Sequence, residues 1–382
     1  MRVLFTTAPL HGHLYPLVPL AWAFRTLGHE VLVACSDHFT PVALHTGLPV
    51  IASGPGAGLE SLATPDTQQA DARYAHGLAF GLTSQRNLAG TLSIVDSWRP
   101  DLVVAERAEL AGPVAAAARG IPHVEVRWGT PEMPEYRAAT EATMRPELDR
   151  LGLAALPEPA TILNPWPPSM RQAHAGGHTS LRHVPYDGVS RLPEWLACPP
   201  DKPRLCLTLG TLIPALEQQD TRAVVLDILE SLAGLGVDVV FAVDDAFAAR
   251  LGPLPEAVSF AGRVPLSLLL RTCRVFVNHG GQGSALTAVA AGCPQVLLPK
   301  FDDMFDNAGA VVRAGAGLAV PLHSMTPLSL VEACRQVLEE ESFHRAAAVL
   351  ADEVAAQPSP VDVAARLLGL PPAARPDGGG VH

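Results

Sequence analysis

A short segment that combines a histidine with three glycines carries the clearest chemical signal in the chain. Residues 278–284 read NHGGQGS, between a largely apolar run at 274–277 that predicts a strand and an alanine-rich run at 285–291 that predicts a helix. A glycine-rich turn between strand and helix aims free backbone N–H groups and the positive end of the helix dipole at an anion. His279 can add a hydrogen bond to a phosphate. The pattern therefore predicts a site for a diphosphate that leaves during the reaction.

A second histidine follows the first predicted strand, at residues 3–7. His13 comes after Gly12, which permits close approach of a ligand, and an imidazole with an ordinary pKa of about 6.5 can take a proton near neutral pH. A general base and a solvated loop histidine therefore both remain open from these residues alone. His11 forms a His-x-His pair with His13, but the sequence offers no matching third metal ligand.

Alternating strand and helix patterns position these segments. Strands are predicted at residues 3–7, 30–35, 49–52, 101–105 and 123–126, and again at 205–209, 237–243, 258–260, 275–277, 295–298 and 318–320. The alternation predicts an α/β protein with two Rossmann-like domains, whose parallel sheets face each other across a cleft. Residues 54–90 and 128–180 break the pattern with stretches punctuated by proline and glycine, and we predict irregular segments there.

A proline-rich segment between residues 185 and 203 indicates the boundary between the two halves. We predict an N-terminal domain at 1–190, a linker at 191–203, and a C-terminal domain at 204–358. A last helix within 359–370 is expected to pack back on the N-terminal domain, and the tail at 371–382 is expected to be disordered.

The composition argues against several classes of protein. The 382 residues include 38 Asp and Glu against 27 Lys and Arg, a net charge of −11, so nucleic acid is not an expected partner. The six cysteines are scattered without a C-x-x-C motif, which argues against a disulfide framework or a zinc knuckle. Because no signal peptide and no apolar run of about 18 residues is found, we expect a cytoplasmic protein that does not span a membrane.

Three segments carry a resemblance to a known family: PLHGHLYPL at 9–17, LGT at 209–211, and the stretch from His279 through GCPQ at 292–295 to PKFDDMFDNA at 299–308. Together they resemble those of the family 1 inverting glycosyltransferases of actinobacterial natural-product (antibiotic) pathways, which have the GT-B fold. The resemblance covers nearly the whole chain. It implies transfer of a sugar, often a deoxysugar, from a TDP or UDP donor to a small hydrophobic aglycone such as a polyketide. It also implies that the N-terminal domain binds the acceptor and that the C-terminal domain binds the nucleotide sugar. TDP is the expected nucleotide, and neither a cofactor nor an essential metal is expected.

The resemblance also assigns roles to individual residues. His13 is expected to be the general base, and Glu106 the carboxylate that orients it, where many relatives carry Asp. The alternative for Glu106 is a surface carboxylate at a strand end, paired with Arg107. Asp303 is expected to bond hydroxyl groups of the donor sugar rather than to bind Mg²⁺.

Two departures from the family pattern bear on the donor. Ser284 stands where a Thr is usual and keeps the hydroxyl group, so a phosphate contact is retained. Met304 stands where a Gln commonly bonds a sugar hydroxyl, and a thioether cannot donate a hydrogen bond. A donor that lacks a hydroxyl group, such as a 2-deoxy- or 2,6-dideoxysugar, would fit this loss.

The rest of the expected donor site follows from the same resemblance. Val264 is expected to hold the nucleotide base through its backbone, and Arg263 to stack on the base where relatives often have an aromatic residue. Thr211 is expected to contact a phosphate or the ribose, with a helix N-cap as the alternative. The complete expected donor site consists of Gly12, Gly210, Thr211, Arg263, Val264, His279, Gly280, Gly281, Gln282, Gly283, Ser284, Asp303 and Met304.

Three aromatic residues in the irregular N-terminal segments are candidates for the acceptor pocket. Phe80, Trp128 and Tyr136 are expected to wall it, with plain core packing as the alternative.

Other functions share parts of this pattern. A nucleotide-sugar epimerase would not need a pocket for a large apolar acceptor. An NAD-dependent oxidoreductase predicts G-x-G-x-x-G after the first strand, where this chain has APLHGH. A non-catalytic partner that binds the nucleotide sugar or supports another transferase would have little need of His13. A homodimer is left open as the oligomeric state.

Overall fold

The computed structural model describes residues 1–56, 69–210 and 221–369, and these form two parallel β-sheets with helices around them. Thr211 and the tail at 371–382 lie outside the described residues. The first sheet consists of β1 (Arg2–Thr6), β2 (Glu30–Ser36), β3 (Val50–Gly54), β4 (Leu102–Glu106), β5 (His123–Val126), β6 (Thr161–Asn164) and β7 (Thr179–Ser180). The second sheet consists of β8 (Arg204–Leu207), β9 (Asp238–Ala242), β10 (Val258–Gly262), β11 (Cys273–Asn278), β12 (Gln295–Leu297) and β13 (Gly317–Ala319).

Helices connect the strands of both sheets. In the first half they are α1 (His11–Leu14), α2 (Val18–Thr26), α3 (Thr40–Leu44), α4 (Gln69–Trp98), α5 (Ala111–Ala117) and α6 (Pro134–Arg150). In the second half they are α7 (Thr221–Ala233), α8 (Asp245–Leu251), α9 (Leu266–Leu269), α10 (Gln282–Ala291), α11 (Asp303–Arg313), α12 (Pro327–Glu339), α13 (Glu341–Ala356) and α14 (Pro360–Leu367).

The order of the strands explains where a ligand can bind. The first sheet runs β3-β2-β1-β4-β5-β6-β7, and the second runs β10-β9-β8-β11-β12-β13. In each sheet the direction of chain progression reverses at one place, between β1 and β4 and between β8 and β11. Connections leave to opposite sides there, which opens a crevice at the carboxyl ends of the strands. The two predicted histidine motifs follow β1 and β11, so each lies at such a crevice.

Alternating side chains place a core on each face of the sheets. On β1, Val3 and Phe5 pack with Phe24 of α2, whereas Leu4 faces the other way and packs with Val103 and the helices beyond it. The last helix, α14, joins the first of these cores through Val363, Ala364 and Leu367. The end of the chain therefore returns to the first sheet after the second sheet is complete.

The prediction of an irregular segment over 54–90 is wrong for residues 69–90, which belong to the 30-residue helix α4. The glycines that signalled a loop are instead contact points. A Cβ atom on Gly77 would lie 2.8 Å from the Cα atom of Tyr136, and one on Gly81 would lie 3.0 Å from the Cα atom of Thr140. Glycine lowers helix propensity by about 1 kcal/mol, but here it lets α4 and α6 approach closely, and tertiary packing outweighs the propensity.

The prediction of an irregular segment over 128–180 is also wrong in part, because this stretch contains α6, which continues through Pro146, and the strands β6 and β7. Phe80 and Tyr136 accordingly lie on the helices α4 and α6, while Trp128 lies in the loop after β5. Residues 191–203 connect the two sheets, and Trp195 and Leu196 in this connection pack with the core of the second sheet. No helix in the described ranges is both long and apolar enough to cross a lipid bilayer.

Candidate active site between the two sheets

A cavity of about 530 Å³ lies where the carboxyl ends of both sheets meet, and both halves of the chain contribute to its wall. Predicted site residues in this wall are Gly12, His13, Phe80, Trp128, Tyr136, Gly210, Arg263, Val264, His279, Gly281, Gln282, Gly283, Ser284, Asp303 and Met304. The structure thus brings together residues that are separated by almost 300 positions in the sequence. A volume of this size is in the range of pockets for small organic ligands.

His13 and Glu106 meet at the end of the first sheet. β4 ends at Glu106 and the short helix α1 carries His13, so the two strands that flank the crevice supply one group each. The Nδ1 atom of His13 lies 2.9 Å from Oε2 of Glu106. The alternative of a surface carboxylate paired with Arg107 is wrong, because Glu106 is only 3% exposed and Arg107 turns to Glu132 and to the carbonyl of Pro131.

The surroundings of Glu106 keep it ionised. Burial alone would raise its pKa, but the charge and hydrogen bond of His13, together with the backbone N–H groups of Ala108 and Ala8, hold the pKa below its usual value. The N–H of Ala108 donates to Oε2 at 2.8 Å, and the N–H of Ala8 donates to Oε1 at 3.0 Å. A carboxylate held in this way can orient an imidazole and stabilise its protonated form.

His11 has a different environment from His13. Its ring packs edge-on against Tyr15 and Phe39, at centroid distances of 5.4 and 5.8 Å. Burial, and then the charge of Arg263, lowers its pKa. In the part of the chain that the structure describes, we find no cluster of three His, Cys, Asp or Glu side chains with the geometry of a metal site.

His279 lies at the end of β11, beside two glycines. An added Cβ atom on Gly210 would lie 2.5 Å from Cε1 of the imidazole, and one on Gly281 would meet Nε2. Both positions therefore need glycine if the ring is to stay where it is. Burial lowers the pKa of His279 to about 4, so the ring is neutral and carries a single N–H. Its Nδ1 atom is buried and has no hydrogen-bond partner among the described residues.

The helix after His279 presents its N-terminus to the same cavity. α10 is ten residues long, Gly281 is its N-cap, and the N–H of Ala285 donates to the carbonyl of Gly281 at 3.0 Å. The backbone N–H groups of residues 282–284 precede this bond, so they have no acceptor within the helix. Together with the helix dipole they form an anion-binding end. Gly283 and Ser284 also line the cavity.

Gln282 makes contacts that its place in the motif did not indicate. Its Oε1 atom accepts hydrogen bonds from the N–H of Gly129, at 2.7 Å, and from Nε1 of Trp166, at 2.8 Å. Both donors are buried and belong to the first half of the chain. The side chain of Gln282 therefore ties the two sheets together, although its backbone N–H stays at the helix N-terminus.

Asp303 and Met304 lie on the far wall, in the first turn of α11. Burial, reinforced by the charge of Asp302, raises the pKa of Asp303 to about 7, while Nδ2 of Asn307 donates to its Oδ2 atom at 2.7 Å. Met304 is buried. Gly280, with φ 82°, packs under Met304, where an added Cβ atom would lie 2.9 Å from the Met304 carbonyl oxygen. Gly280 thus serves close packing rather than the cavity wall.

The three predicted aromatic residues cluster around His13. Phe80 and Trp128 lie 5.3 and 5.2 Å from the His13 ring, and Tyr136 packs against both of them at 5.8 and 5.7 Å. All three are buried and line the cavity. Two of them also make polar contacts: Tyr136 donates to Oδ2 of Asp302 at 2.8 Å, and Nε1 of Trp128 donates to Oε2 of Glu106 at 3.0 Å.

The predicted nucleotide end lies at the carboxyl end of β10. Arg263 is exposed, its guanidinium pairs with Asp244 at 3.2 Å, and its backbone N–H donates to Asp245 at 2.7 Å. Val264 is buried in the core of the second sheet and also reaches the cavity. Gly210 is held by a hydrogen bond of 3.2 Å from its N–H to the Thr208 hydroxyl group.

Sequence reasoning missed the residues that join the two halves behind these groups. Asn307 accepts from the N–H of Thr130 at 2.9 Å, and His76 contacts Asp302 at 2.6 Å. Asp302 adopts φ 51°, a conformation that only a small fraction of non-glycine residues adopt. The acidic run at 302–306 was visible in the sequence, but nothing there indicated partners on α4 and on the loop after β5.

Comparison with known proteins decides the family. Models of the N-terminal and C-terminal domains of erythromycin biosynthesis protein CIII-like proteins match residues 22–210 and 226–370. L-demethylnoviosyl transferase of Streptomyces niveus is 40% identical over 372 residues, which cover 95% of this chain and 97% of that protein. The chain belongs to the family 1 glycosyltransferases of natural-product biosynthesis. It is therefore a glycosyltransferase, as the resemblance implied.

Two further relatives agree with this assignment. The 10-deoxymethynolide desosaminyltransferase of Streptomyces venezuelae is 33% identical and matches over 96% of both chains. The glycosyltransferase SsfS6 of Streptomyces sp. SF2575, solved in complex with thymidine diphosphate, is 34% identical, with a TM-score of 0.85 over 97% of this chain and 100% of that one. The predicted GT-B fold is confirmed.

Proposed function

We propose that this glycosyltransferase moves a deoxysugar from a TDP-sugar to a small hydrophobic aglycone, such as a polyketide, with inversion at the anomeric carbon. The observation that carries the proposal is the position of a His–carboxylate pair and an anion-binding helix end in the wall of one cavity. The relatives support the substrate classes, since one is named for a desosaminyl transfer and another was solved with thymidine diphosphate.

His13 is the general base of the proposed reaction. Its Nδ1 atom faces Glu106, so Nε2 is the nitrogen that takes the proton of the acceptor hydroxyl group. A lone pair of the acceptor oxygen then forms the bond to C1 of the sugar, and the bond from C1 to the diphosphate oxygen breaks with its electron pair going to the diphosphate. Attack from the side opposite the leaving group inverts the configuration. Glu106 stabilises the imidazolium that results.

The developing charge on the diphosphate is stabilised by groups of α10. The free amides of residues 282–284 and the single N–H of neutral His279 donate to the diphosphate. These donors are already oriented before the reaction, so they need not reorganise as the charge develops. We propose that these groups take the place of a divalent metal. Asp303 bonds the sugar, and buried Met304 fits a ring position without a hydroxyl group.

We propose that the two halves of the chain bind different substrates. Residues 1–190 form the acceptor domain, 191–203 the linker and 204–358 the donor domain, with the terminal helix packed on the first. Phe80, Trp128 and Tyr136 wall the acceptor side close to His13. Their apolar faces match a flat, hydrophobic aglycone.

Calorimetric titration with TDP and UDP, with and without EDTA, tests the donor site. We expect TDP to bind more tightly than UDP and without dependence on EDTA. His279→Ala should weaken TDP binding by about 10- to 100-fold, the value of one hydrogen bond to a charged group. His323→Ala is the matched control, because this exposed histidine lies outside the cavity, and it should bind TDP like the wild type. Folded protein that binds neither nucleotide would refute the donor site.

A further inference from the structure

The indole of Trp128 is placed to act on the base as well as to wall the acceptor pocket. Its Nε1 atom donates to Oε2 of Glu106 at 3.0 Å, and this is the same oxygen atom that lies 2.9 Å from Nδ1 of His13. The ring also contacts the imidazole directly, at a centroid distance of 5.2 Å and an interplanar angle of 63°. One side chain therefore touches both members of the pair.

We propose that Trp128 is a positioning residue that tunes the basicity of His13 through Glu106. Oε2 accepts from the indole and from the N–H of Ala108 at 2.8 Å, and Nδ1 of His13 lies 2.9 Å from the same atom, so three nitrogen atoms surround one oxygen. The indole N–H is a neutral donor held in place by packing. Its hydrogen bond stabilises the negative charge on Oε2 and so weakens the interaction of that charge with the imidazole. It also fixes the carboxylate plane, so that Oε2 keeps facing His13.

Contacts on the other side of the indole hold it in this place. The guanidinium of Arg107 lies over the ring at 5.7 Å, and its Nη1 atom donates to the carbonyl of Pro131 at 2.7 Å. The next residues of the loop are anchored by the donor half, since Gly129 donates to Gln282 and Thr130 donates to Asn307. The position of the indole thus depends on the contact between the two sheets.

The catalytic role of Trp128 rests on the proposed function, but the electrostatic coupling of Trp128, Glu106 and His13 does not. Its test is the titration of His13 in the full chain, followed by NMR with labelled histidine and assigned by the signal that His13→Asn removes. Trp128→Phe keeps an aromatic ring and removes only the N–H donor. We expect the midpoint of the His13 titration to rise by about half to one pH unit, because the carboxylate then interacts more strongly with the imidazolium.

Two comparisons separate this effect from others. Trp22→Phe removes an indole donor of similar length, 3.1 Å to the carbonyl of Thr46, far from the cavity, and should leave the midpoint where it is. In a Glu106→Gln background, Trp128→Phe should no longer move the midpoint. The carboxyl group of Asp303 also interacts with His13, from the donor side, and is present in every variant of the comparison.

An unchanged or lowered midpoint in folded Trp128→Phe would overturn the proposal, and so would a shift that persists in the Glu106→Gln background. If Trp128→Phe does not fold, the wild type provides the test. The chemical shift of one of the five indole N–H signals must then change with pH at the same midpoint as His13, and this change must disappear in His13→Asn. Absence of such a signal would refute the coupling. A confirmed coupling in a protein without transferase activity would refute the proposed function alone.

Discussion

Replacement of Gln282 by methionine separates two roles that this residue can have. The sequence placed Gln282 in the donor site, whereas the structure shows its side chain accepting from Gly129 and Trp166 at 2.7 and 2.8 Å. Methionine has a similar length and no acceptor of comparable strength, so both buried donors would lose their partner. Each orphaned group costs about 1–3 kcal/mol, and we expect the free energy of unfolding to fall by about 2–5 kcal/mol.

Urea unfolding measures this loss, and calorimetry measures TDP binding to the same variant. Gln336→Met is the matched control, since Gln336 is exposed and its side chain donates to Glu340 at 2.9 Å, and we expect a change below about 0.5 kcal/mol. In a double variant with Trp166→Phe the losses should not add, because the second change removes one of the orphaned donors. Unchanged stability together with TDP binding weakened more than about tenfold would refute the reasoning and return Gln282 to the donor site.

Three further predictions concern single buried side chains. Glu106→Gln should lower kcat by about 10- to 100-fold with KM nearly unchanged, because the imidazolium loses its counter-charge; steady-state kinetics decides, and an unchanged kcat contradicts the role. Burial raises the pKa of Glu109, which is 5% exposed, to about 7, so the part of the stability that this side chain contributes is lost as pH rises from about 4.5 to 7. Glu109→Gln lacks this loss, and its stability relative to the wild type should rise by about 2–3 kcal/mol between pH 5 and pH 8 in urea unfolding; a pH-independent difference contradicts it. Met304→Gln should raise kcat/KM for a fully hydroxylated TDP-hexose relative to its 2-deoxy analogue by about tenfold, measured by competition, and an unchanged ratio would remove the ground for a deoxysugar donor.

The fold could be predicted to the level of two parallel sheets because β-strands buried on both faces leave continuous apolar runs in the sequence. The two histidine motifs could be placed for the same reason, since each directly follows such a run. The helices α4 and α6 could not be found. Gly77 and Gly81 of α4 are contact points with α6, and a glycine that permits close approach has the same appearance in a sequence as one that ends a helix. In α6 it is Pro146, inside the helix, that gave the appearance of a break.

The candidate site was predictable in its parts but not in their connections. The resemblance selected His13, Glu106, His279 and Asp303, and the structure places them around one cavity or directly behind its wall. The hydrogen bonds made by Gln282 and Trp128 join residues that are far apart in the sequence, 22 positions for Trp128 and Glu106 and 153 for Gly129 and Gln282. Such pairs follow from tertiary packing, within the first half for Trp128 and between the two halves for Gln282, which the periodicity of a single segment does not encode.

The central claim is that His13 deprotonates an acceptor while a TDP-sugar reacts with inversion. The most direct test is the transfer reaction itself, with a TDP-deoxysugar and a panel of polyketide aglycones, on the wild type and on His13→Asn. NMR of the product gives the anomeric configuration, and calorimetry checks that TDP still binds the variant. We predict an inverted product, a rate lowered by about 10²- to 10⁴-fold in His13→Asn, and TDP affinity within about threefold of the wild type. A product with retained configuration, or a His13→Asn variant as fast as the wild type, would contradict the account.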